Sequence, residues 1–224
     1  MPEKSPNIQG AVFDVDGTLL DSMYVWKDVG DRYLRSKGVV PQPDMGERVR
    51  TMSMPQVADY CRREYGLTES PQQIMDEING LVLQSYREEV QPKKGVPALL
   101  DALKARGIKL AVATASDRCL IEAALERTGL LSRFDVFLTC TEVGEGKDSP
   151  AIFCKAAELL GCRPEETVIF EDSLYAMKTA KAAGFRVAAV ADDSAAHEER
   201  EIRETADWFV EEPLQWLAVL PSKR

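Results

Sequence analysis

The sequence predicts an α/β fold: a parallel sheet covered by helices on both faces, with an all-helical insertion after the first strand. Three observations predict it. Short apolar runs alternate with amphipathic stretches through most of the chain. Gly107, Gly129, Gly161 and Gly184 fall just past four of the amphipathic stretches, where helices end. Between the first apolar run and Gly95, about eighty residues break this rhythm, with helical patterns and no convincing strand.

The elements follow in order. Ala11-Val12-Phe13 begins the first strand, residues 9–14, which ends on an acid. Further short apolar runs place strands at 108–114, 134–139, 167–170, 186–190 and 208–210. Helices over 96–106, 118–128, 151–160, 174–183 and 198–205 lie between them. Apolar strands separated by helices make a Rossmann-like core, because a parallel sheet needs helical crossovers that cover both its faces. Within the insertion, residues 23–37, 46–65 and 71–89 read as helices, punctuated by Pro41, Pro43, Gly66, Pro71 and Pro92. The predicted division is residues 1–20 and 93–224 for the α/β core and 21–92 for a helical cap. Such a cap sits over the carboxyl ends of the strands, where open α/β sheets bind ligands.

Composition narrows the function. A chain of 224 residues with 45% hydrophobic and 29% charged residues is an ordinary soluble globular protein, which excludes a disordered chain or a small disulfide scaffold. Lys and Arg number 28 against 37 Asp and Glu, a net charge of −9. The longest basic clusters are Lys93-Lys94 and Lys223-Arg224, so no basic stripe points to nucleic acid. No apolar stretch is long enough for a membrane span, and residues 1–6 lack the apolar core of a signal peptide. The 5 cysteines are odd in number and form no C-x-x-C pair, which argues against a zinc site and a disulfide framework. Mostly buried thiols, a reduced cytoplasmic setting and a monomer or weak dimer are expected.

The chemistry concentrates at predicted strand ends. Asp14 ends the first strand in Asp14-Val15-Asp16-Gly17-Thr18-Leu19-Leu20-Asp21-Ser22. Alternation puts Asp14 and Asp16 on one side of an extended chain, and Gly17 permits a sharp turn. Paired carboxylates there suit Mg²⁺, a hard cation that takes oxygen ligands, and equally describe a solvated acidic turn. Thr114, followed by Ala115 and Ser116, ends the second strand. Glu171-Asp172 end the fourth, followed by Ser173. Lys147 lies in Gly144-Glu145-Gly146-Lys147, ahead of a helix whose start Pro150 marks. Singly, Thr114 and Ser173 read equally as helix N-caps and Lys147 as a solvated loop residue. Together, a hydroxyl, a lysine and several carboxylates on one sheet edge describe a site for a phosphate and a metal.

These residues resemble the haloacid dehalogenase superfamily, in its branch with a helical cap after the first motif, where phosphatases and β-phosphoglucomutase-like enzymes sit. Asp14-Val15-Asp16-Gly17-Thr18 matches the first family motif, a block expected by chance in about one chain of 700. Thr114 matches the second motif, Lys147 the third and Glu171-Asp172-Ser173 the fourth, in the family's order and spacing. Relatives often carry Lys-Pro-x-Pro at the third motif; here it is Lys147-Asp148-Ser149-Pro150. The resemblance implies that Asp14 is a nucleophile forming an aspartyl-phosphate, and that Asp16 is the acid and base for the leaving oxygen and for water. It implies Mg²⁺ held by the Asp14 side chain, the Asp16 backbone carbonyl and Asp172, with Glu171 supporting or contacting the ion. Dehalogenases of the superfamily lack an acid at the Asp16 position, so phosphoryl transfer is implied over carbon–halogen cleavage. The implied substrate is a small phosphorylated metabolite of the sugar phosphate or phosphoglycolate class. A phosphomutase of the β-phosphoglucomutase type and a catalytically inactive binding module are the alternatives.

Substrate choice is expected in the cap and around the first two motifs. Thr18, Ala115 and Ser116 are candidate substrate contacts beside the motif residues. Met23, Tyr24 and Trp26 follow the first motif and either line the pocket or pack the start of a helix. Arg48 and Arg50 either bind a carboxylate, hydroxyl or second phosphate of the substrate or sit on a solvated helix face. β-Phosphoglucomutase-like relatives carry a Lys-Gly or Arg-Gly pair near this point, whereas Arg50 here precedes Thr51. The single histidine, His197, lies in an acidic stretch near the C-terminus and reads as a surface residue.

Overall fold

The computed structural model describes residues 7–218; residues 1–6 and the Lys223-Arg224 pair lie outside the described residues. Six parallel strands form the core sheet: β1 (Gly10–Phe13), β4 (Lys109–Thr114), β5 (Val136–Thr139), β6 (Thr167–Glu171), β7 (Arg186–Val190) and β8 (Trp208–Val210). Their order is β5-β4-β1-β6-β7-β8, so β1 is central and the order reverses beside it. Both neighbours pair with β1 in parallel register, Phe13 opposite Val112 and Phe170. Ligands of open α/β sheets bind at such a reversal, just past the carboxyl ends of the strands.

Strand alternation builds the two helical layers. Ala11 and Phe13 face one apolar cluster and Val12 the other, all at most 1% exposed. Phe13 stacks on Phe170 with ring centroids 4.3 Å apart, and Trp216 meets Phe170 edge-on at 5.0 Å. Helices α6 (Val96–Ala105) and α7 (Arg118–Arg127) pack on the first side, α9 (Ala151–Leu160) and α10 (Leu174–Ala182) on the second, and α11 (Glu199–Thr205) lies beyond β7. Each core strand and each of these five helices falls within two residues of its sequence-predicted bounds. The glycines after α6, α7, α9 and α10 adopt positive φ, as the sequence signal requires.

The insertion departs from the sequence reading in three ways. First, it contains strands: β2 (Leu20–Asp21) pairs antiparallel with β3 (Gln91–Pro92), a two-residue ribbon at the point where the chain leaves the core and rejoins it. Nothing in two residues carries a period, and Pro92 has no N–H to give to a ladder. Second, the helix expected over 23–37 divides into α1 (Met23–Trp26) and α2 (Val29–Ser36), because Asp28 takes non-helical dihedrals of φ −134° and ψ 10°. Third, the helix expected over 46–65 divides into α3 (Met45–Val49) and α4 (Met54–Tyr65). Ser53 starts α4 with a reciprocal capping box to Gln56 and Pro55 in the first turn, signals that begin a helix and do not continue one. The long α5 (Pro71–Glu88) starts on the same device, Ser70 with Gln73, and packs against α7. In the core, α8 (Cys140–Val143) was not anticipated, although its Thr139–Glu142 capping box and Gly144 stop are written in the sequence.

The expectation of mostly buried thiols is corrected. Cys61 and Cys140 are buried and Cys162 half-buried, but Cys119 and Cys154 are exposed, each on the outer side of its helix. No helix among the described residues is long and apolar enough to cross a membrane. His197 is exposed.

Candidate active site

The site is assembled from five chain segments at the carboxyl edge of the sheet. The loop after β1 is wound on one acceptor: the amides of Thr18, Leu19 and Leu20 all point to the Val15 carbonyl at 2.8–3.2 Å. Gly17 sits in this loop at φ +81°. A Cβ there would stand 2.6 Å from Asp172 Oδ2, so only glycine lets the two motifs meet. Thr18 donates to Asp172 Oδ1 at 3.0 Å. Thr18, a candidate substrate contact by sequence, is 1% exposed and does not line the cavity. Its work is to hold Asp172.

Lys147 is 2% exposed and donates to two carboxylates, Asp14 Oδ1 at 2.5 Å and Glu171 Oε2 at 2.7 Å. It is a buried site residue, not a solvated loop lysine. Glu171 is doubly engaged, since its Oε1 accepts from the Ser173 amide at 3.2 Å. Asp14, Glu171 and Asp172 form a buried trio whose carboxylate oxygens come within 4.8 Å of one another. Three buried carboxylates thus face one ammonium, which bonds two of them. Burial, Glu171 and then Asp16 push the Asp14 carboxyl up to about 7 against the opposing pull of Lys147. Burial, with Glu171 and Asp14, pushes Asp172 well above the usual carboxylate range. Burial alone would lower Lys147, but Asp14 and Glu171 outweigh it and hold the ammonium well above its ordinary value. Excess negative charge on an all-oxygen donor set fits a small hard divalent cation.

Asp16 stands beside this cluster and is held by hydroxyls. Ser22 Oγ donates to its Oδ1 at 2.6 Å and Ser116 Oγ to its Oδ2 at 2.6 Å. Tyr86 Oη, from α5, also donates to Oδ1. Burial and the Asp16 charge keep the Tyr86 phenol well above its ordinary value, so it remains a donor. Thr114 is buried at the end of β4 and its Oγ1 accepts from the Ser116 amide at 3.1 Å. It is not a helix cap, because Asp117 occupies the N-cap of α7.

A cavity of about 1150 Å³ lies over these groups. Asp14, Asp16, Thr114, Ala115, Ser116, Lys147 and Glu171 line its core side, and Met23, Tyr24, Trp26, Arg50 and Met52 line the insertion's side. The two arginines read from sequence as substrate ligands are both committed within the chain. Arg48 does not line the cavity and pairs with Asp44 at 2.8 Å on the surface. Arg50 lines the cavity but makes a two-pronged bond to Glu198, at 2.6 and 3.1 Å, which ties the insertion to the core. Trp26 lines the cavity and donates from Nε1 to Tyr86 Oη at 2.6 Å. Sequence reasoning missed Tyr86, Glu198 and the Lys93–Asp192 pair, whose 2.8 Å contact anchors the second crossing. No local signal marks any of them. Ser22 lay in the first motif's segment, and its spacing of six from Asp16 could have found it.

A family profile described as haloacid dehalogenase-like hydrolase matches residues 8–184. The chain belongs to this family. Among its curated relatives, Hexitol phosphatase A of Escherichia coli is 30% identical over 184 residues, covering 81% of this chain and 82% of the relative. A phosphorylated carbohydrates phosphatase of Thermotoga maritima is 27% identical over 177 residues, covering 79% and 82%. Among solved structures, CbbY from Rhodobacter sphaeroides, in complex with phosphate, superposes with a TM-score of 0.82 at 26% identity, covering 95% of this chain and 99% of that one. A haloacid dehalogenase-like fold with a helical insertion is therefore both the predicted and the observed architecture.

Proposed function

We propose that the protein is a Mg²⁺-dependent phosphatase that hydrolyses a small phosphorylated metabolite through an aspartyl-phosphate on Asp14. One observation carries the reading: Asp14 is paired with buried Lys147 on the floor of a cavity, with Asp16 beside it and Asp172 behind it. The phosphatase names of the relatives support it, as do the carbohydrate substrates that two of those names carry.

Each residue has a role that its contacts support. The Asp14 carboxylate attacks phosphorus, forming a P–O bond while the bond to the leaving oxygen breaks. Asp16 protonates the leaving oxygen, then takes a proton from the water that cleaves the aspartyl-phosphate. Lys147 and the Thr114 hydroxyl face the negative charge on the phosphoryl oxygens. The Asp14 side chain, the Asp16 backbone carbonyl and Asp172 are the residues that would hold Mg²⁺. Glu171, engaged by Lys147 and the Ser173 amide, supports them. Bound there, the cation supplies charge cancellation between two anions that otherwise repel. Residues 21–92 act as the cap over residues 1–20 and 93–224, and the cavity's apolar cap wall selects the substrate. A cytoplasmic enzyme working as a monomer or weak dimer accords with the acidic, unstapled chain.

The hydrolase reading is preferred over a phosphomutase because Arg50, which stands where β-phosphoglucomutase-like relatives carry a Lys-Gly or Arg-Gly pair, is followed by Thr51 and is bound to Glu198. Phosphate release from a panel including phosphoglycolate and hexose 1- and 6-phosphates, with Mg²⁺ and with chelator, tests the proposal. Chelator-sensitive release is expected. Glucose 6-phosphate formed from glucose 1-phosphate without phosphate release would instead establish a mutase, and silence throughout would leave a mutase that needs a phosphorylated activator or an inactive module.

A further inference from the structure

Resting on the phosphatase reading, we infer that the alcohol part of the substrate is uncharged and apolar, so that alkyl phosphomonoesters are cleaved in preference to sugar phosphates or phosphorylated carboxylic acids. The inference comes from the insertion's wall of the cavity. Met23, Trp26, Met52, Met54, Val57 and Ile78 line it. Met54 and Ile78 are buried and the others half-buried. Trp26 has the only side-chain N–H among them, and it already donates to Tyr86 Oη at 2.6 Å. These side chains therefore leave a substrate hydroxyl without a partner. A polyol buried against them would lose water and regain few hydrogen bonds, whereas an alkyl chain gains from each methylene buried. Met23, Met45, Met52 and Met54, all on the lining, are four of the chain's 7 methionines. Unbranched thioether side chains repack around different shapes, so the wall suits alcohols of several lengths and not one alone.

Charge points the same way. Carboxylates outnumber cations on the lining, even with Asp14, Asp16 and Glu171 set aside. Most of the cations are committed: Arg50 to Glu198, Lys93 to Asp192, Lys94 to Glu212, and Lys147 to the floor of the site. Lys27 is the one lining cation without an ion pair among the described residues. It is exposed, and Asp28 and the half-buried Asp31 share its side of the cavity. An ammonium in water beside acids holds an anion weakly. A carboxylate or second phosphate on the alcohol thus meets net repulsion and no buried partner. The carbohydrate in two of the relatives' names is the alternative that the test sets against this reading.

The test compares kcat/KM with Mg²⁺ for ethyl, butyl and hexyl phosphate, glucose 6-phosphate, phosphoglycolate and p-nitrophenyl phosphate. The leaving alcohols of the alkyl series are nearly equal in basicity, so a trend along it reports burial of the chain. The value is expected to rise about twofold or more for each added methylene, and hexyl phosphate to exceed both polar esters by about tenfold. Met52→Gln, which puts an amide on the wall at nearly constant length, should lower the ratio of hexyl phosphate to glucose 6-phosphate about fivefold. A flat or silent alkyl series, a polar ester within about threefold of hexyl phosphate or above it, or a Met52→Gln variant that keeps the wild-type ratio overturns the inference. Turnover of any ester in the set keeps the phosphatase reading, whereas silence on all of them, p-nitrophenyl phosphate included, overturns that reading and the inference with it. If Met52→Gln lacks a cooperative melt, Val57→Thr, which keeps the side chain's shape, is read by the same ratio.

Discussion

The α/β core and the helical insertion face the same cavity with different chemistry. From the core come Asp14, Thr114, Lys147 and Glu171, each at most 7% exposed and each fixed at a strand end or in a loop braced by other motif residues. From the insertion come Met23, Trp26, Met52 and Arg50, partly exposed and mainly apolar, with the one guanidinium paired to the half-buried Glu198. Buried charges hold their geometry at high energetic cost and suit a reaction that repeats unchanged. Half-exposed apolar walls are cheap to alter and suit a surface that selects substrates. Tyr86 is the exception, an insertion residue as buried as any in the core, and it touches the core's Asp16.

The contrast can be broken most forcefully at Lys147. Lys147→Met leaves Asp14 and Glu171 buried without their cation, and a loss of about 3–5 kcal/mol in unfolding free energy is expected, together with loss of turnover. Denaturant unfolding measures the first; a loss under about 1 kcal/mol would show that the ion pairs do not organise the site. Next is Asp172→Ala, for which the Mg²⁺ concentration giving half-maximal rate should rise about tenfold or more, or activity vanish. An unchanged Mg²⁺ titration removes Asp172 from the metal's ligands.

The third prediction concerns pH. Between the unfolded carboxylate value of 3.8 and about 7, the folded, metal-free chain keeps a proton on Asp14 that the unfolded chain has released. Stability from this group is therefore full below 3.8 and lost as pH rises through about 7. The melting temperature in chelator should fall across that window, and Asp14→Asn should make the slope shallower. A parallel slope in the two proteins would contradict the burial argument. The smallest effect belongs to the insertion: Arg50→Met breaks a partly exposed pair and should cost about 1 kcal/mol or less. A loss as large as that of Lys147→Met would erase the distinction between the two regions.

The same contrast explains what was legible in the sequence. Asp14, Asp16, Thr114, Lys147 and Glu171-Asp172 could be placed because each stands at the end of an apolar run or before a helix start, and parallel strands align their carboxyl ends. The partners of Arg50 and Tyr86 could not be placed. Arg50 meets Glu198 and Tyr86 meets Asp16 across separations of 148 and 70 residues, set by how a helix face docks and by no local period. Thr18 was misassigned for a related reason: it is a chain neighbour of Asp14 and Asp16, but its bond runs to Asp172, past the end of another strand. The two-residue ribbon of β2 and β3 was too short to carry any pattern.

The central claim is that phosphoryl groups pass through Asp14. It is tested most directly by acid-quenching a single turnover with the best substrate of the panel and weighing the peptide that contains Asp14. A transient phosphoryl increment on that residue, absent from Asp14→Asn together with all turnover, is the predicted result. Phosphate release that persists in Asp14→Asn, with no increment on the wild-type peptide, would contradict it.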